Sequence, residues 1–279
     1  MDMQEIAVLR KKALEIRKLT IDAIGYLGVG HIGGAMSIVE LLTLLYYRVM
    51  RIDPANPKEP ERDRLVLSKG HAGPALYAVL ADRGYFPVQW LHTLNQGGTA
   101  LPSHCDMNRT PGIDFTTGSL GTGSSAAAGI ALGNRMRGID AWTYLIIGDG
   151  ESQEGQVWES AMFASHYKLD RLIAFTDYNK QQIDGYTDDI MSVEDLNTKW
   201  IGFGWHVQRV NGHDFAALDR AVRRAQDERC RPSMIIMDTV KSFGFIPGEG
   251  IAANHNMFFD YETAKQAIRD LEKREGGII

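Results

Sequence analysis

The sequence predicts an α/β fold in which an open, mainly parallel sheet carries helices on both faces. In the middle of the chain, apolar residues 144–147 are followed by a helical pattern over residues 157–167 and then by apolar residues 172–175. A succession of strand, helix and strand makes its two strands parallel, and a parallel sheet is covered by helices on both sides. Further short apolar runs predict additional strands at residues 65–67, 206–210 and 234–237.

The two ends of the chain are predicted to be helical. Apolar residues at helical spacing predict a first helix over residues 6–27, which leads into a glycine-rich loop at residues 28–34. A second helix is expected from about Ser37, whose side chain suits an N-cap, through Tyr47. Residues 261–274 have the charge pattern of a terminal helix. Residues 53–63 combine proline with charge, which predicts a surface loop before the first strand of the sheet.

Length and composition predict one globular domain. The chain has 279 residues, of which 44% are hydrophobic, so it can bury a sizeable core. We expect a single domain over residues 1–279, with a core at 1–260 and a C-terminal helix and tail at 261–279. The 30 Lys and Arg residues are outnumbered by 35 Asp and Glu residues, and no basic block is present. Nucleic acid is therefore not an expected partner.

Cysteine usage and hydropathy indicate the compartment. Cys105 and Cys230 are the two cysteines of the sequence, which excludes a disulfide framework and suits a reducing cytoplasm. The apolar stretch at residues 38–50 is too short to span a bilayer, and it is also too charged because it contains Glu40 and Arg48. We expect a cytoplasmic protein with no membrane partner.

The segment that points most directly to chemistry is Gly148-Asp149-Gly150. It follows one predicted strand and precedes a helix, and Asn179 follows the next strand along the chain. The carboxyl ends of parallel strands form a ligand-binding edge, and a helix that starts there offers N–H groups to a diphosphate. Asp149, the Asn179 side-chain oxygen and a nearby carbonyl would also suit Mg²⁺. The alternative is that Gly-Asp-Gly forms only a turn.

Four histidines lie outside the regular strand and helix patterns. They are His31, His71, His104 and His255. Loops above a parallel sheet carry functional residues, although a single histidine is more often structural than catalytic. The other four histidines are assigned no catalytic role; they are His92, His166, His206 and His213. Cys105 is interpreted as structural, because its sequence neighbours do not identify a base.

Several motifs in consistent order resemble the N-terminal half of transketolases. They span about residues 10 to 245, a coverage that no single motif could match by accident. The motifs are Gly30-His31-Ile32-Gly33-Gly34, the run from Asp63 to His71, the run from Thr116 to Gly123, Gly148-Asp149-Gly150 through Gly155, and the run from Asp177 to Gly185.

The resemblance implies a bound thiamine diphosphate and a divalent cation. The implied cation is Mg²⁺, with Ca²⁺ or Mn²⁺ as alternatives, held by Asp149, Asn179 and the main-chain carbonyl of Gln181. The residues implied to contact the cofactor are His71, Gly118, Leu120, Gly148, Asp149, Gly150, Glu154, Asn179, Ile183 and His255. The four histidines outside regular structure would then face substrate hydroxyls and developing negative charge on oxygen.

The implied roles of these residues compete with simpler ones. Gly118 could be a turn glycine, and Leu120 and Ile183 could be core residues. Glu154 looks like a family residue that reaches across a subunit interface, but a helix dipole also favours an acid in the first turn. The family usually has His-Gly late in this domain, whereas here Asn256 follows His255. Either His255 fills that position in a shifted loop, or the role is lost.

The implied activity is transfer of a two-carbon ketol unit from a ketose to an aldose, with sugar phosphates as substrates. The family's pyrimidine-binding domain has no counterpart in this sequence, so the resemblance implies a second polypeptide, with two copies of each chain as the expected assembly. The sequence leaves two alternatives open: the alpha subunit of a 2-oxoacid dehydrogenase, and a non-catalytic subunit that binds thiamine diphosphate. A 1-deoxyxylulose-5-phosphate synthase-like enzyme is less favoured.

Overall fold

A five-stranded parallel sheet forms the centre of the computed structural model, which describes residues 1–275. The sheet contains β2 (Arg64–Leu67), β3 (Thr143–Gly148), β4 (Leu172–Tyr178), β5 (His206–Asn211) and β6 (Ser233–Asp238). Two short strands, β1 (Val29–Gly30) and β7 (Met257–Phe258), lie outside it. The helices are α1 (Met3–Leu27), α2 (Ile32–Met36), α3 (Val39–Leu44), α4 (Gly73–Asp82), α5 (Thr122–Met136), α6 (Gly155–His166), α7 (Thr187–Met191), α8 (Leu196–Gly202), α9 (Phe215–Asp227) and α10 (Tyr261–Glu275).

The order of the strands across the sheet is β2-β3-β4-β6-β5, and all neighbours are parallel. The register pairs Gly148 at the end of β3 with Asp177 near the end of β4, and Asp177 with Met237 of β6. The segments that follow β3, β4 and β6 therefore leave the sheet at the same edge. β1 and β7 form a separate antiparallel pair, in which Val29 lies opposite Phe258.

Both faces of the sheet are buried under helices. Tyr144 and Ile146 of β3 belong to one apolar core, which includes residues of α1, α3, α4, α9 and α10. Leu145 and Ile147, which point to the opposite face, belong to a second core with residues of α5, α6 and α8. Alternate residues of a strand point to opposite faces, so a strand buried on both faces reads as a continuous apolar run. The predicted fold class is confirmed.

The five predicted strands of the main sheet are all present, and the helix expected from about Ser37 is present from Val39, but the N-cap role predicted for Ser37 is wrong. Ser37 ends α2, and the next helix begins at Val39 and widens into a π-helical turn at Leu45–Val49. The buried Ser37 hydroxyl donates its hydrogen bond to Asp177 over 2.6 Å, and its oxygen lies 3.2 Å from the Gly34 carbonyl. A buried carboxylate therefore uses the serine that the local pattern assigned to a helix cap.

The helix expected directly after Gly150 also differs. A short 3₁₀ turn at Gly150–Gln153 comes first, and α6 begins only at Gly155. The Gly150 N–H donates to the carboxylate of Asp149, so it does not point freely from a long helix.

The terminal helix α10 packs closely on α1. A side chain at Gly25 of α1 would collide with Ala264 of α10, since a Cβ built there lies 2.2 Å from the Ala264 Cβ. Part of the predicted tail, residues 276–279, lies outside the described residues, and the division at residue 260 stays a prediction. Among residues 1–275, no helix is both long and apolar enough to cross a bilayer.

Candidate active site

A cavity of about 280 Å³ opens at the carboxyl edge of the sheet, where the segments after β2, β3, β4 and β6 meet. It is lined by every residue that the sequence singled out for catalysis, cofactor or metal binding. These residues are His31, His71, His104, Gly118, Leu120, Gly148, Asp149, Gly150, Glu154, Asn179, Gln181, Ile183 and His255. The fold thus collects these residues from seven separate segments of the chain around one space.

Asp149 is the carboxylate at the base of this cavity. It is buried, and its two oxygens accept hydrogen bonds from the backbone N–H groups of Gly150 and Lys180. Burial raises the pKa of Asp149 to about 7, and the negative charge of Asp177 acts in the same direction. The two backbone hydrogen bonds and the charge of Lys69 lower that pKa only in part. Asp149 is therefore a buried acid whose charge the protein compensates incompletely.

Asn179 lies beside Asp149 and is fixed by its neighbours. Its amide nitrogen donates to Asp177 over 2.8 Å, which leaves its side-chain oxygen as the acceptor for the Gln181 N–H. The Gln181 segment is folded back by backbone bonds from Thr187 to Lys180 and from Gln182 to Gly185. Asn179 and Gln181 are consequently held on the same side of the cavity as Asp149.

The oxygen groups in this part of the cavity fit a hard divalent cation. The side-chain oxygens of Gln181 and Gln182 are buried and have no hydrogen-bond partner among the described residues. A buried polar oxygen without a partner is costly, so a bound ion, its water or a ligand group would stabilise it. Within residues 1–275 no three His, Cys, Asp or Glu side chains cluster as a metal site. A divalent cation held here would take few protein oxygens and would complete its coordination with phosphate and water oxygens.

The four histidines predicted to be catalytic come together in the upper part of the cavity. The ring centre of His31 lies 5.5 Å from those of His71 and His104 and 5.4 Å from that of His255. His71 and His255 are 4.7 Å apart. The structure thus brings His255 to the group even though Asn256 follows it. The four histidines without an assigned role, His92, His166, His206 and His213, do not line this cavity.

Burial lowers the pKa of every histidine in this cluster. The charge of Lys69 adds to the effect at His71, whose pKa falls well below its usual value. Lys241 adds to it at His255, where the pKa is about 3. His104 adds to the effect of burial at His31. The four rings are therefore neutral at pH 7, and each can donate a hydrogen bond from one nitrogen and accept one at the other.

The core role considered for two of the remaining residues does not match their surroundings. Ile183 is 63% exposed and Leu120 is partly exposed, so neither is a core residue. Glu154 occupies the N-cap position of α6, where the helix dipole favours an acid, and its exposed side chain makes no capping hydrogen bond. These side chains border the cavity from its open side.

Three charged residues of the site have no role in the sequence-based prediction. The Lys69 ammonium is buried and donates to Asp177 over 2.6 Å and to the Gly34 carbonyl over 2.7 Å. Glu151 is a buried acid, and burial raises its pKa. Burial also disfavours the charged form of Lys241, and it lowers the pKa of that lysine to about 8. A lysine inside a run of small and apolar residues was the signal that could have marked Lys69, whereas Glu151 lies among polar residues that give no such signal.

Lys69 and Asp177 form a buried ion pair that stabilises the base of the cavity. Burial by itself would raise the pKa of Asp177, but the charge and hydrogen bond of Lys69 and the hydroxyls of Ser37 and Thr239 lower it below its usual value. Asp177 therefore stays ionised and also accepts from the Asn179 amide. The pair joins residues 108 positions apart in the chain.

Comparison with known proteins gives a consistent family. The family model described as "Transketolase, thiamine diphosphate binding domain" matches residues 9–271. The chain is 58% identical over 265 residues to the 6-deoxy-6-sulfo-D-fructose transketolase subunit SqwG of Clostridium sp. (strain MSTE9), covering 95% of this chain and 96% of that protein. It is 37% identical over 270 residues to an apulose-4-phosphate transketolase subunit of Phocaeicola vulgatus, covering 97% and 96%.

Solved structures agree with the sequence relatives. Transketolase from Campylobacter jejuni superposes with a TM-score of 0.90 at 28% identity and covers 99% of this chain, which spans 43% of that enzyme. The chain likewise spans 43% of the transketolase of Mus musculus, to which it is 35% identical. The relatives named as subunits are matched over nearly their whole length, which favours the transketolase interpretation over the 2-oxoacid dehydrogenase alternative. The chain belongs to the transketolase family and matches that family's thiamine diphosphate-binding domain over nearly its whole length.

Proposed function

We propose that this subunit binds thiamine diphosphate together with Mg²⁺ and, with a separate pyrimidine-domain subunit, transfers a two-carbon ketol unit from a ketose to an aldose. The observation that carries the proposal is the shared cavity, in which the oxygens around Asp149 and the four neutral histidines face one space. When bound, thiamine diphosphate supplies the nucleophilic carbon that this chemistry needs.

The residues around Asp149 would hold the diphosphate and its cation. Asp149, the Asn179 side-chain oxygen and the Gln181 carbonyl supply the protein's oxygen ligands, and Gly148 and Gly150 allow close approach of the backbone. Lys241 lies on the same side, where its ammonium donates to the Gln182 carbonyl over 3.2 Å and would offset diphosphate charge. Gly118, Leu120 and Ile183 would support the aminopyrimidine from the open side.

The four histidines would act on the substrate. Because their rings are neutral, His31, His71, His104 and His255 can each hold a proton near a substrate oxygen and accept one in return. Hydrogen bonds to negative charge that develops on oxygen typically contribute about 10²–10³ in rate. His71 and His255 also lie close enough to the base of the cavity to contact the cofactor.

A second subunit would complete the site. Glu154, Leu120 and Ile183 border the open side of the cavity with exposed side chains, where a partner could cover them. We expect two copies of each chain, with Glu154 reaching toward the other half of the assembly. The cationic side chains lining the cavity in the described part of the chain are Lys69 and Lys241, and Lys69 is paired with Asp177. The anionic end of a sugar substrate would therefore be bound by the partner.

The names of the relatives suggest the first substrates to test. One relative is named for 6-deoxy-6-sulfo-D-fructose and another for apulose 4-phosphate. Both names describe a sugar that carries an anionic group. At 58% identity to the first, the sulfonated ketose is the leading candidate donor.

Reconstitution with the companion subunit tests this function. The chain would be mixed with the product of the neighbouring gene, thiamine diphosphate and Mg²⁺, and supplied with each candidate ketose and an aldose acceptor. We expect ketose consumption and a ketose product two carbons longer than the acceptor, and no turnover by either chain alone. Robust turnover by this chain alone, or none from any donor with the reconstituted pair, would contradict the proposal.

A further inference from the structure

Glu151 is a buried carboxylate that no part of the proposed mechanism uses. It is 3% exposed, and it lies in the 3₁₀ turn that follows Asp149. One of its oxygens, Oε1, accepts hydrogen bonds from the Ser68 hydroxyl and from the Gly121 N–H at 2.8 Å. The other, Oε2, accepts from the Gly148 N–H at 3.0 Å. All three partners donate to it, so the carboxylate is bound on both oxygens.

The three donors belong to three different loops of the cavity. Ser68 begins the segment that continues to Lys69 and His71. Gly121 follows Leu120 in the segment proposed to support the aminopyrimidine, and Gly148 precedes the proposed metal ligand Asp149. One side chain therefore links the loops proposed to bind opposite ends of the cofactor.

The backbone of the segments that donate to Glu151 is closely packed. Gly121 adopts φ +85°, a left-handed conformation that favours glycine, and its N–H thereby points to Glu151. A Cβ at Gly123 would lie 2.7 Å from the Ser68 Cα, so the start of α5 rests directly on the backbone after β2. Because the start of α5 and the segment after β2 approach this closely and both donate to Glu151, a shift at Glu151 would be transmitted to both.

We propose that Glu151 is a positioning residue that sets the distance between the Gly118–Leu120 loop and the Gly148–Gly150 loop, and so determines how tightly the subunit binds thiamine diphosphate. This inference rests on the proposed cofactor site. Glu151 does not touch the cofactor in this proposal; it acts through the two backbone N–H groups and the Ser68 hydroxyl.

Glu151→Gln is the variant that tests the proposal. Its shape is nearly unchanged, but one carboxylate oxygen becomes an NH₂ group that faces a backbone N–H, because Gly121 and Gly148 donate to different oxygens. Calorimetric titration of the two-subunit complex with thiamine diphosphate at saturating Mg²⁺ should show a Kd raised about tenfold. Ser68→Ala, which removes one donor and no backbone contact, should raise the Kd about threefold.

The double variant and a matched control separate positioning from general destabilisation. Because Ser68 acts through Glu151, the losses of affinity from Glu151→Gln and Ser68→Ala should combine to less than their product in the double variant. Glu159→Gln, which changes an exposed acid on α6, should leave the Kd within about twofold of wild type. At saturating cofactor, kcat of the Glu151→Gln complex should return to within about twofold of wild type, as expected when only cofactor affinity has changed.

The possible failures are distinguishable. A wild-type complex that takes up no cofactor would overturn the proposed function and this inference with it. A wild-type complex that binds normally while Glu151→Gln binds within twofold of it would overturn this inference alone, as would multiplicative losses in the double variant. If Glu151→Gln does not fold, an unchanged Kd for thiamine diphosphate in the Ser68→Ala complex would overturn this inference.

Discussion

Asp149 and Glu40 are both carboxylates that the fold removes from water, and the chain surrounds them in opposite ways. Asp149, at the base of the cavity, has two backbone N–H donors and a second carboxylate nearby, and its pKa rises to about 7. Glu40, on α3, would also have a raised pKa from burial, but the charge of Arg17 and the hydrogen bond from His213 lower that pKa to about 2.

The protein itself supplies the hydrogen-bond donors and the positive charge that the buried Glu40 carboxylate needs. One nitrogen of Arg17 donates to both of its oxygens, over 2.6 and 2.7 Å. The Val240 N–H donates to Nε2 of His213, so the His213 proton is on Nδ1 and is donated to Glu40. A carboxylate satisfied by the protein stabilises the fold, whereas one left short of positive charge marks a place for a cation. The comparison supports a structural role for Glu40 and the binding role proposed for Asp149.

Asp149→Asn should produce the largest effect, on binding. Replacing the one carboxylate among the proposed metal ligands should weaken Mg²⁺-dependent uptake of thiamine diphosphate at least about 100-fold. In the protein without cofactor, loss of repulsion from Asp177 offsets loss of a backbone acceptor, so the unfolding temperature should stay within about 2 °C of wild type. Calorimetry and thermal unfolding measure the two quantities. Unchanged uptake would remove Asp149 from the binding site.

Glu40→Gln should lower the stability of the fold and leave cofactor binding nearly unchanged, which is the reverse of Asp149→Asn. It leaves the buried Arg17 guanidinium without a counter-charge, which should lower the free energy of unfolding by about 3 kcal/mol. Cofactor affinity, measured at a temperature where both proteins are folded, should stay within about threefold of wild type. Glu194→Gln, at an exposed acid, serves as the control and should change stability by less than about 0.5 kcal/mol. A loss of affinity as large as that of Asp149→Asn would abolish the distinction between the two regions.

The stabilisation by Glu40 should disappear in acid. Its pKa is about 2 in the folded chain against 4.5 for an unperturbed glutamate. A lowered pKa contributes stability that is present above pH 4.5 and is lost as the pH falls toward 2. The stability difference between wild type and Glu40→Gln should therefore shrink by about 2 kcal/mol between pH 5 and pH 3. Urea unfolding at each pH measures it, and a constant difference would show that Glu40 titrates normally.

The same contrast explains how far the sequence could predict the site. The apolar runs at residues 144–147 and 172–175 predicted neighbouring strands, and the motifs after them placed Asp149 and Asn179 at one edge of the sheet, where both line the cavity. The ion pair between Lys69 and Asp177 depends on the strand register, which no local pattern contains. Ser37 was assigned to a helix cap for the same reason, because the buried carboxylate that it contacts is 140 residues away.

The order of the strands and the pairing of β1 with β7 were likewise not predictable from local patterns. β5 pairs with β6 at the edge of the sheet, so the strand that follows β4 in sequence is not its neighbour. Met257 and Phe258 pair with Gly30 and Val29, and this pairing carries the segment after His255 past the glycine-rich loop. Tertiary pairing therefore brought His255 to the other histidines, although the motif around it departs from the family pattern.

His213→Asn should give the smallest effect on stability. It measures how much of the stabilisation of the buried Glu40 charge comes from His213 and not from Arg17. The Asn amide can replace the Nδ1 donor, but the Val240 N–H loses its acceptor and the ring that stacks 3.9 Å from Phe243 is removed. We expect a loss of about 1 kcal/mol in the free energy of unfolding, measured in urea at pH 7. Because Arg17 still pairs with Glu40, the stability of His213→Asn should fall between pH 5 and pH 3 nearly as steeply as that of wild type. A pH dependence as flat as that of Glu40→Gln would instead make His213 the main source of the compensation.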